Sequence, residues 1–573
     1  MTIKKDLLKN SVLFILLTAI FFATSAFQLN PAIDTGREFY IPFRMLGGEV
    51  LYKDIFNIYG ALAYQINTFA YFLLGAKITS LRLLGSINAT VIVFATYLIL
   101  KEIFNAEKTK LIFNFETENK ILLTALPLFI GLLSFGTFNY VVPYAFSMTY
   151  GLMFFLVSVL FFIKFSKTYN PQNAYIACLF AGAAFSCKYE FLAYSILLIL
   201  YVALSKKIET KNVVRSIASI VIVPILSYGS LFIQGMSTED LKTTCEILKT
   251  MANTEAIKYL YANFTGTYFN IEVFQICLIK TLLLGIICAI YAFSKNLYKT
   301  DKFLSIIVLI FSLLCIFYLG TAAFSLFAII NMILFFVFLK KIYQDKPIFI
   351  FMLSSILLSL KTFFAVNIDV YGTYTLPFIL ISLAVFTNKV DYSDKQKIKE
   401  NIASTVNILI LSVILLCVIK NTGIFLQKIN GKINTNSNSV IENLYTFPHI
   451  AKSINSAKTY ILKETKENDK IIILPETQFL NFLTKRVGDN LYDSLTPMYF
   501  ETFGEEKIIN HFAETKPEYF ILNNRNTADY GKRYICDDYG KQFCNFVKND
   551  YKNVATFGEK QYILQIFKRK DLL

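Results

Sequence analysis

Between residues 31 and 64 the chain reads PAIDTGREFYIPFRMLGGEVLYKDIFNIYGALAY, a charged stretch flanked by apolar segments. Seven charges of both signs fall within 21 residues: Asp34, Arg37, Glu38, Arg44, Glu49, Lys53 and Asp54. The segments at 11–29 and 80–100 are apolar and long enough to cross a membrane. The stretch therefore predicts a first loop at a membrane surface, with the depth of Asp34 fixed by the helix before it. Residues 37–44 could form a short surface helix, and Gly47–Gly48 would be one of its turns.

The composition of the whole chain indicates a membrane protein. Of its 573 residues, 55% are hydrophobic and 17% are charged, and the mean hydropathy is +0.52. Soluble domains average roughly 45–50% apolar and about 25% charged residues. This excludes an ordinary cytosolic enzyme and any disordered or fibrous class. The two histidines lie in the last quarter of the chain, which excludes a histidine-based metal site in the membrane part.

Apolar runs predict an α-helical polytopic protein with about thirteen transmembrane helices. The runs lie near 11–29, 80–100, 121–136, 146–163, 173–187, 190–205, 216–234, 271–293, 303–319, 322–339, 347–364, 373–387 and 402–419. A further run, 59–76, is predicted to be re-entrant or interfacial, because Lys and Arg then collect on one face of the membrane. The N-terminus is thus predicted to be cytoplasmic and the C-terminus to lie outside. The first segment also resembles a signal peptide, but we favour an uncleaved anchor.

The tail at 435–573 has a different composition and predicts a small extracytoplasmic α/β domain after a transmembrane domain at 1–420. Within that transmembrane domain, 31–78 forms the first outer loop with its interfacial helices. The tail is polar, with β-like runs at Ile471–Leu474, Tyr519–Leu522 and Tyr562–Phe567 between helix-like ones at Glu505–Phe512 and Gln542–Lys548. Cys536 and Cys544 could form a disulfide if this domain faces an oxidising compartment. Pro475–Glu476 and Asp537–Asp538 could bind acceptor or metal, although solvated turns are the favoured interpretation.

The net charge of +16 does not require nucleic acid as a partner. Most of the excess lies in loops predicted to be cytoplasmic, as the positive-inside rule expects. The predicted surroundings are therefore membrane lipid. Abundant Lys, Ile, Asn and Phe fit an AT-rich bacterial genome, which favours a bacterial inner (plasma) membrane.

Two features of the charged loop suit chemistry at the membrane surface. A carboxylate such as that of Asp34 is partly desolvated at a lipid–water boundary, which raises its pKa and helps it to take a proton. Arginine suits a phosphate group because its guanidinium binds two oxygens at once.

Ionisable residues at the ends of other spans are further candidates, because charge at membrane depth is costly and usually functional. Lys188 and Glu190 lie in CKYEF, a tight outer turn, where they could simply pair with each other. Lys361 lies near the outer end of its helix, where it could snorkel to the interface or meet a lipid phosphate. The polar run YGTYTLP follows it, beginning at Tyr371. The outer loop at 235–270 could cover a site or merely connect two helices.

Together these elements resemble the GT-C superfamily of polytopic glycosyltransferases. The nearest likeness is to bacterial members grouped with protein O-mannosyltransferases and aminoarabinose transferases. The matching segments are DTGREF with Asp34, GGEVLYKDIFNIYGALAY at 47–64, LRLLG at 81–85, SCKYEF at 186–191, and the tail beginning INSAKTYILKETKENDKIIILPETQFLNFLTKR at 454–486. Their order extends the resemblance over nearly the whole chain.

The resemblance implies a glycosyltransferase with a polyprenyl-phosphate sugar donor, acting on the outer face with inversion at the anomeric carbon. It gives Asp34 an acid–base or metal role. The residues predicted to bind substrate or phosphate are Arg37, Glu38, Arg44, Asp54, Lys188, Lys361 and Tyr371. If a divalent ion takes part, Mg²⁺ or Mn²⁺ is expected, with Asp34 and Glu38 as ligands. The acceptor is the hydroxyl of an unspecified glycan, lipid or protein.

Two other kinds of protein compete with this interpretation. A transporter or lipid flippase explains the many spans and the intramembrane lysines, but not the charged first loop or the folded outer tail. Transporters often consist of two related halves, and the sequence contains no such repeat. A glycan polymerase or ligase would also be an enzyme, with a longer donor and a different acceptor.

Overall fold

The computed structural model describes residues 2–26, 31, 33–104, 109–110, 116–117, 139–205, 207–297, 301–319, 325–360, 371–390, 439–559 and 562–573. Over these ranges the chain is mostly helical, with a small sheet domain at its C-terminal end. The predicted spans at 121–136 and 402–419 and the predicted site residue Lys361 lie outside them.

The helices before residue 400 include one at each predicted apolar run that lies within the described residues, and shorter helices in the loops between them. They are α1 Thr2–Thr24, α2 Thr35–Leu46, α3 Ala61–Leu74, α4 Ile78–Phe104, α5 Phe146–Thr168, α6 Pro171–Cys187, α7 Leu192–Leu204, α8 Thr210–Ile233, α9 Thr238–Ala252, α10 Glu255–Phe264, α11 Ile271–Leu297, α12 Lys302–Leu319, α13 Ser325–Val337, α14 Leu339–Gln344, α15 Lys346–Ser359 and α16 Leu376–Lys389. Among the described residues, α4, α5 and α8 are long and apolar enough to cross a membrane, and several other apolar helices are shorter. The total of about thirteen spans remains a prediction.

Small side chains allow α6 to pack closely between its neighbours. Ala174, Ala177 and Ala181 are fully buried along one side of this helix, and Gly182 brings its backbone against the Ile220 carbonyl of α8. Close backbone approach through small residues is the usual way in which helices associate in lipid. By contrast, α8 turns large apolar side chains outward, and Ile225, Leu226 and Ile233 are exposed, which suits hydrocarbon rather than water.

The charged first loop folds into α2 and α3 with a turn between them. Most of the surface of α2 is buried, with the apolar side chains of Phe39, Tyr40 and Ile41 in the core. The helix ends at Gly47, as predicted. At 14 residues, α3 is shorter than the roughly 20 residues that a span requires. Its length agrees with the predicted re-entrant or interfacial helix, whose depth in a membrane stays a prediction.

The tail forms the α/β unit that its sequence predicts. Its four-stranded sheet comprises β1 Ile471–Leu474, β2 Tyr519–Asn523, β3 Tyr551–Glu559 and β4 Tyr562–Arg569, in the order β1-β2-β4-β3. The helices of this unit are α17 Pro448–Glu464, α18 Gln478–Thr484, α19 Pro497–Phe503, α20 Glu505–Thr515 and α21 Lys541–Asp550. Strands β1 and β2 are parallel and wholly buried, whereas β2–β4 and β3–β4 pair antiparallel. Strand β3, an edge strand with many exposed positions, is not apparent in the sequence pattern because its polar residues mask any alternation.

The tail domain docks directly on the first loop. The ring of Phe482 in α18 stacks on Phe39 of α2 and Tyr71 of α3, with centroid distances of 5.5 Å and 6.0 Å. Gly36, at the start of α2, faces the backbone of Phe479. The first loop and the tail therefore share one apolar interface.

Replacing Gly36 by Ala is expected to loosen this interface. A Cβ there would lie 2.5 Å from the backbone nitrogen of Phe479 and 2.7 Å from its Cβ, so the two helices would have to separate. Overpacking of this kind costs about 1–3 kcal/mol, which should lower the unfolding temperature of the purified protein. Gly229→Ala is the control, because nothing lies within 4 Å of a Cβ at that position. Equal unfolding temperatures for the two variants would contradict this description of the interface.

Candidate active site

A cavity of about 430 Å³ lies where the first loop, α9 and α10, and the tail domain meet. Its charged lining residues are Asp34, Arg37, Lys188, Glu190, Arg525 and Asp529, and its tyrosines are Tyr59, Tyr144, Tyr189, Tyr261, Tyr371 and Tyr530. Apolar side chains, among them Met251, Leu260 and Phe264, line the rest. Four of the residues predicted from the sequence, Asp34, Arg37, Lys188 and Tyr371, thus line one cavity. The outer loop at 235–270, which could have been a mere connection, forms part of its wall.

Asp34 occupies an unusual backbone conformation at the start of α2. Its φ of 53° and ψ of −59° form a γ-turn, closed by a 2.5 Å hydrogen bond that the Thr35 N–H donates to the Ile33 carbonyl. This turn is rare and strained, and strain of this kind persists only where the surrounding structure imposes it. About a quarter of the side chain of Asp34 is exposed, next to the cavity. The turn therefore holds a partly exposed carboxylate at a fixed place.

The tail domain supplies one of the contacts that impose this turn. The backbone N–H of Asp34 donates a 2.6 Å hydrogen bond to Oε1 of Glu476. Glu476 is buried and forms an ion pair with Arg525. The interpretation of Glu476 as part of a solvated turn is therefore wrong, because its buried carboxylate is bonded to both Asp34 and Arg525.

Arg37 and Glu38 form a buried network beside Asp34. Arg37 donates to the Tyr144 carbonyl at 3.0 Å and to Glu38 Oε1 at 3.3 Å, and its Nη1 lies 3.8 Å from Asp34 Oδ1. The side chain of Glu38 is fully buried, and burial raises the pKa of its carboxyl. Tyr64 OH donates to Glu38 Oε1 at 2.8 Å, and the backbone N–H of Phe146 donates to Oε2 at 2.7 Å. Glu38 thereby holds the side chain of Arg37 in place, although Glu38 itself does not line the cavity.

These contacts bear on the predicted metal ligands. Both oxygens of Glu38 already accept hydrogen bonds from protein donors, so Glu38 does not offer Mg²⁺ or Mn²⁺ a free carboxylate beside Asp34. Over the described part of the chain, there is also no group of three His, Cys, Asp or Glu residues spaced to hold a metal ion. The residues present do not fit the metal site that Asp34 and Glu38 were predicted to form.

Lys188 provides a second cation at the cavity, within a layer of tyrosines. Its Nζ donates to Tyr144 OH at 2.8 Å and lies 3.4 Å from Glu190 Oε1, so the predicted pairing within the turn is present. The same Nζ lies 5.5 Å from the ring centroid of Tyr59, and the Arg37 guanidinium lies 5.2 Å from that ring centroid. The ring of Tyr371 packs edge-on against Tyr144 at 5.3 Å. Tyr59, Tyr144 and Tyr371 thus pack beside Lys188 and Arg37 on one side of the cavity.

Arg44 and Asp54 do not line this cavity. The side chain of Arg44 is fully buried and donates to Asp493 Oδ2 at 2.6 Å and to the Asp489 carbonyl at 2.8 Å, and it also pairs with Glu49. Asp54 accepts a 2.8 Å hydrogen bond from the Val50 N–H within the turn after α2. Because its side chain is fully buried and bonded to residues of both segments, Arg44 joins the first loop to the tail domain.

The sequence pattern did not single out Arg525 and Asp529, the charged cavity residues that come from the tail. Arg525 lies two residues beyond the carboxyl end of β2, and Glu476, its partner behind the cavity lining, lies two residues beyond the end of the parallel strand β1. Ligand-binding residues of α/β units commonly follow such strand ends, so this position was the available signal. Asp529 lies four residues beyond Arg525, in a short 3-10 helix at Ala528–Tyr530, and burial raises the pKa of its carboxyl, although Arg525 partly opposes that shift.

Comparison with known proteins gives a distant structural similarity. No family model matches the chain, and no curated protein matches it. Two crystal structures of ArnT from Cupriavidus metallidurans, one bound to undecaprenyl phosphate and one in the apo state, are similar to it over 97% of both chains. The sequence identity is 9%, and the TM-scores are 0.48 and 0.46. ArnT is a GT-C aminoarabinose transferase, which is the group that the sequence resembles. A similarity of this size fixes neither an activity nor the role of any residue in this chain.

Proposed function

We propose that the chain is a multi-pass membrane glycosyltransferase that moves a sugar from a polyprenyl-phosphate donor to an acceptor hydroxyl on the outer face. Asp34 is the base, and Arg37 and Lys188 bind the donor phosphate. The observation that carries the proposal is the cavity that holds these three side chains together. A carboxylate fixed by a strained turn next to two cations is what this transfer requires, because one group must take a proton while a phosphate leaves.

In the proposed reaction, the acceptor hydroxyl attacks the anomeric carbon from the side opposite the phosphate, and Asp34 takes the hydroxyl proton. The bond from the anomeric carbon to the phosphate oxygen breaks as the new C–O bond forms, so the configuration inverts. The leaving polyprenyl phosphate gains a negative charge beside Arg37 and Lys188. Both cations contact Tyr144 before any substrate arrives, which makes their stabilisation of that charge preorganised.

The proposal includes a membrane arrangement. About thirteen spans lie within a transmembrane domain at 1–420, the N-terminus is cytoplasmic, and the α/β domain at 435–573 lies outside the inner membrane of a bacterium. Two observations support it. The apolar outer surface of α8 suits lipid, and the disulfide between Cys536 and Cys544 suits an oxidising compartment for the tail.

The direct test is turnover of a donor by the purified protein in detergent. Synthetic polyprenyl-phosphate donors carrying a labelled sugar are supplied without an acceptor, and release of polyprenyl phosphate by slow hydrolysis is measured. We expect release with at least one sugar. Saturable binding of the lipids with no release from any donor, together with lipid movement across vesicles, would instead favour a flippase.

Replacing Lys188 by Met should weaken donor binding without unfolding the protein. A hydrogen bond to a charged group contributes about 1.5–3 kcal/mol, so the Kd for polyprenyl phosphate should rise about tenfold or more. Lys53→Met is the matched control, because Lys53 carries the same charge on the first outer loop but is exposed outside the cavity lining. Equal Kd values for the two variants would remove Lys188 from the phosphate site.

A further inference from the structure

The tail domain contributes a polar wall to the cavity that the proposed reaction does not use. This wall consists of Arg525 and Asp529, which lie four residues apart along the chain and contact each other. Arg525 is only 7% exposed, and its Nε has no hydrogen-bond partner among the described residues. Within that same part of the chain, Oδ1 of Asp529 is buried and also lacks a partner. Buried polar groups in native proteins are nearly always hydrogen-bonded, so these two atoms indicate a ligand.

The charges around Arg525 restrict the chemistry of that ligand. Arg525 forms an ion pair with Glu476, and its Nη2 lies 3.4 Å from Asp529 Oδ2. One cation between two carboxylates leaves no positive charge to attract a second phosphate. Nη1 of Arg525 is the atom paired with Glu476, so the atoms that remain without a partner on the described residues comprise one donor, Nε–H, and one acceptor, Oδ1. Hydroxyl groups satisfy both because each can accept and donate a hydrogen bond.

The aromatic side chains nearby add a second restriction. Tyr530 follows Asp529 directly and lines the cavity, as do Tyr261 and Tyr371. Flat apolar faces beside a donor–acceptor pair fit a ring that carries hydroxyls on its edge and C–H groups on its faces. A sugar ring has this character.

We propose that Arg525 and Asp529 form a sugar-binding subsite, in which they hydrogen-bond hydroxyls of the donor sugar. The inference rests on the proposed function and specifies which part of the donor the tail domain recognises. The phosphate lies at Arg37 and Lys188, while the sugar ring extends from it towards the tail domain. Arg525 also pairs with Glu476, which holds the backbone of Asp34. The group that recognises the sugar is thus connected to the turn that positions the base.

The test compares two lipids that differ only in the sugar. The Kd values of the full-length protein in detergent are measured for polyprenyl phosphate and for its glucosyl, mannosyl and arabinosyl phosphodiesters. In the wild type, at least one sugar should tighten binding. Asp529→Asn should weaken binding of that glycosylated lipid by about tenfold, while its Kd for polyprenyl phosphate stays within about twofold.

The control is Asp537→Asn, which changes an exposed carboxylate of the same domain and should alter neither Kd. Equal loss of affinity for both lipids in Asp529→Asn, or no loss for either, would overturn the subsite while leaving the proposed function intact. The subsite would also be overturned if no sugar tightened binding in the wild type. Failure of the wild type to bind any of these lipids would contradict the proposed function, and the subsite with it.

Discussion

Replacing Asp34 by Asn should reduce donor turnover by about two to four orders of magnitude, the usual contribution of a general base. Asn keeps the size of the side chain but cannot take a proton from the acceptor hydroxyl or from water. The backbone hydrogen bond from residue 34 to Glu476 does not depend on the side chain, so the γ-turn should persist. The measurement is release of polyprenyl phosphate from the donor, with the unfolding temperature followed in parallel.

Lipid binding separates this prediction from a general loss of structure. Asp34→Asn should bind polyprenyl phosphate as tightly as the wild type, because Arg37 and Lys188 are unchanged. Glu239→Gln provides the control, since Glu239 is an exposed outer carboxylate beyond the cavity lining. Wild-type turnover in Asp34→Asn would exclude this residue as the base.

The second large effect is expected at Arg44, through the attachment of the tail domain. The guanidinium joins α2 to Asp493 and to the Asp489 carbonyl, and its side chain is fully buried. Burial raises the pKa of Asp493 to about 7 even with Arg44 present, so this carboxylate is costly to keep charged. Removing one partner of a buried ion pair costs about 3–5 kcal/mol. We therefore expect Arg44→Met to lower the unfolding temperature and to expose the tail domain to limited proteolysis.

Two further variants define the cause of that loss. Arg533→Met removes an exposed arginine from the tail domain and should leave the unfolding temperature unchanged. Arg44→Lys keeps the charge but loses the forked geometry, so an intermediate loss of stability is expected. If Arg44→Met unfolded at the wild-type temperature and resisted protease, Arg44 would be available for a ligand, as the sequence had suggested.

The membrane part was the more predictable half of the molecule. Each apolar run within the described residues forms a helix, and positions that follow the ends of those helices, such as Asp34 and Lys188, converge because the helices run side by side. The role of Arg44 could not be anticipated, because its partners in the tail domain lie about 450 residues further along the chain. For the same reason Glu476 looked like an exposed turn residue, although its carboxylate is buried. A local sequence pattern identifies a helix or a strand. Which charged side chains face a cavity, and which pair with each other, depends on how those helices and strands pack in the folded chain.

The hydrogen bond between Asp34 and Glu476 joins residues 442 positions apart, and this separation has a consequence for biogenesis. Asp34, the residue proposed as the base, is synthesised near the start of translation, whereas its positioning partner emerges from the ribosome near the end. A nascent chain therefore carries Asp34 for most of translation without the contact that fixes it. In the proposed membrane arrangement, that contact forms only after the last quarter of the chain has been exported and has folded, so the timing of export would set when the cavity forms.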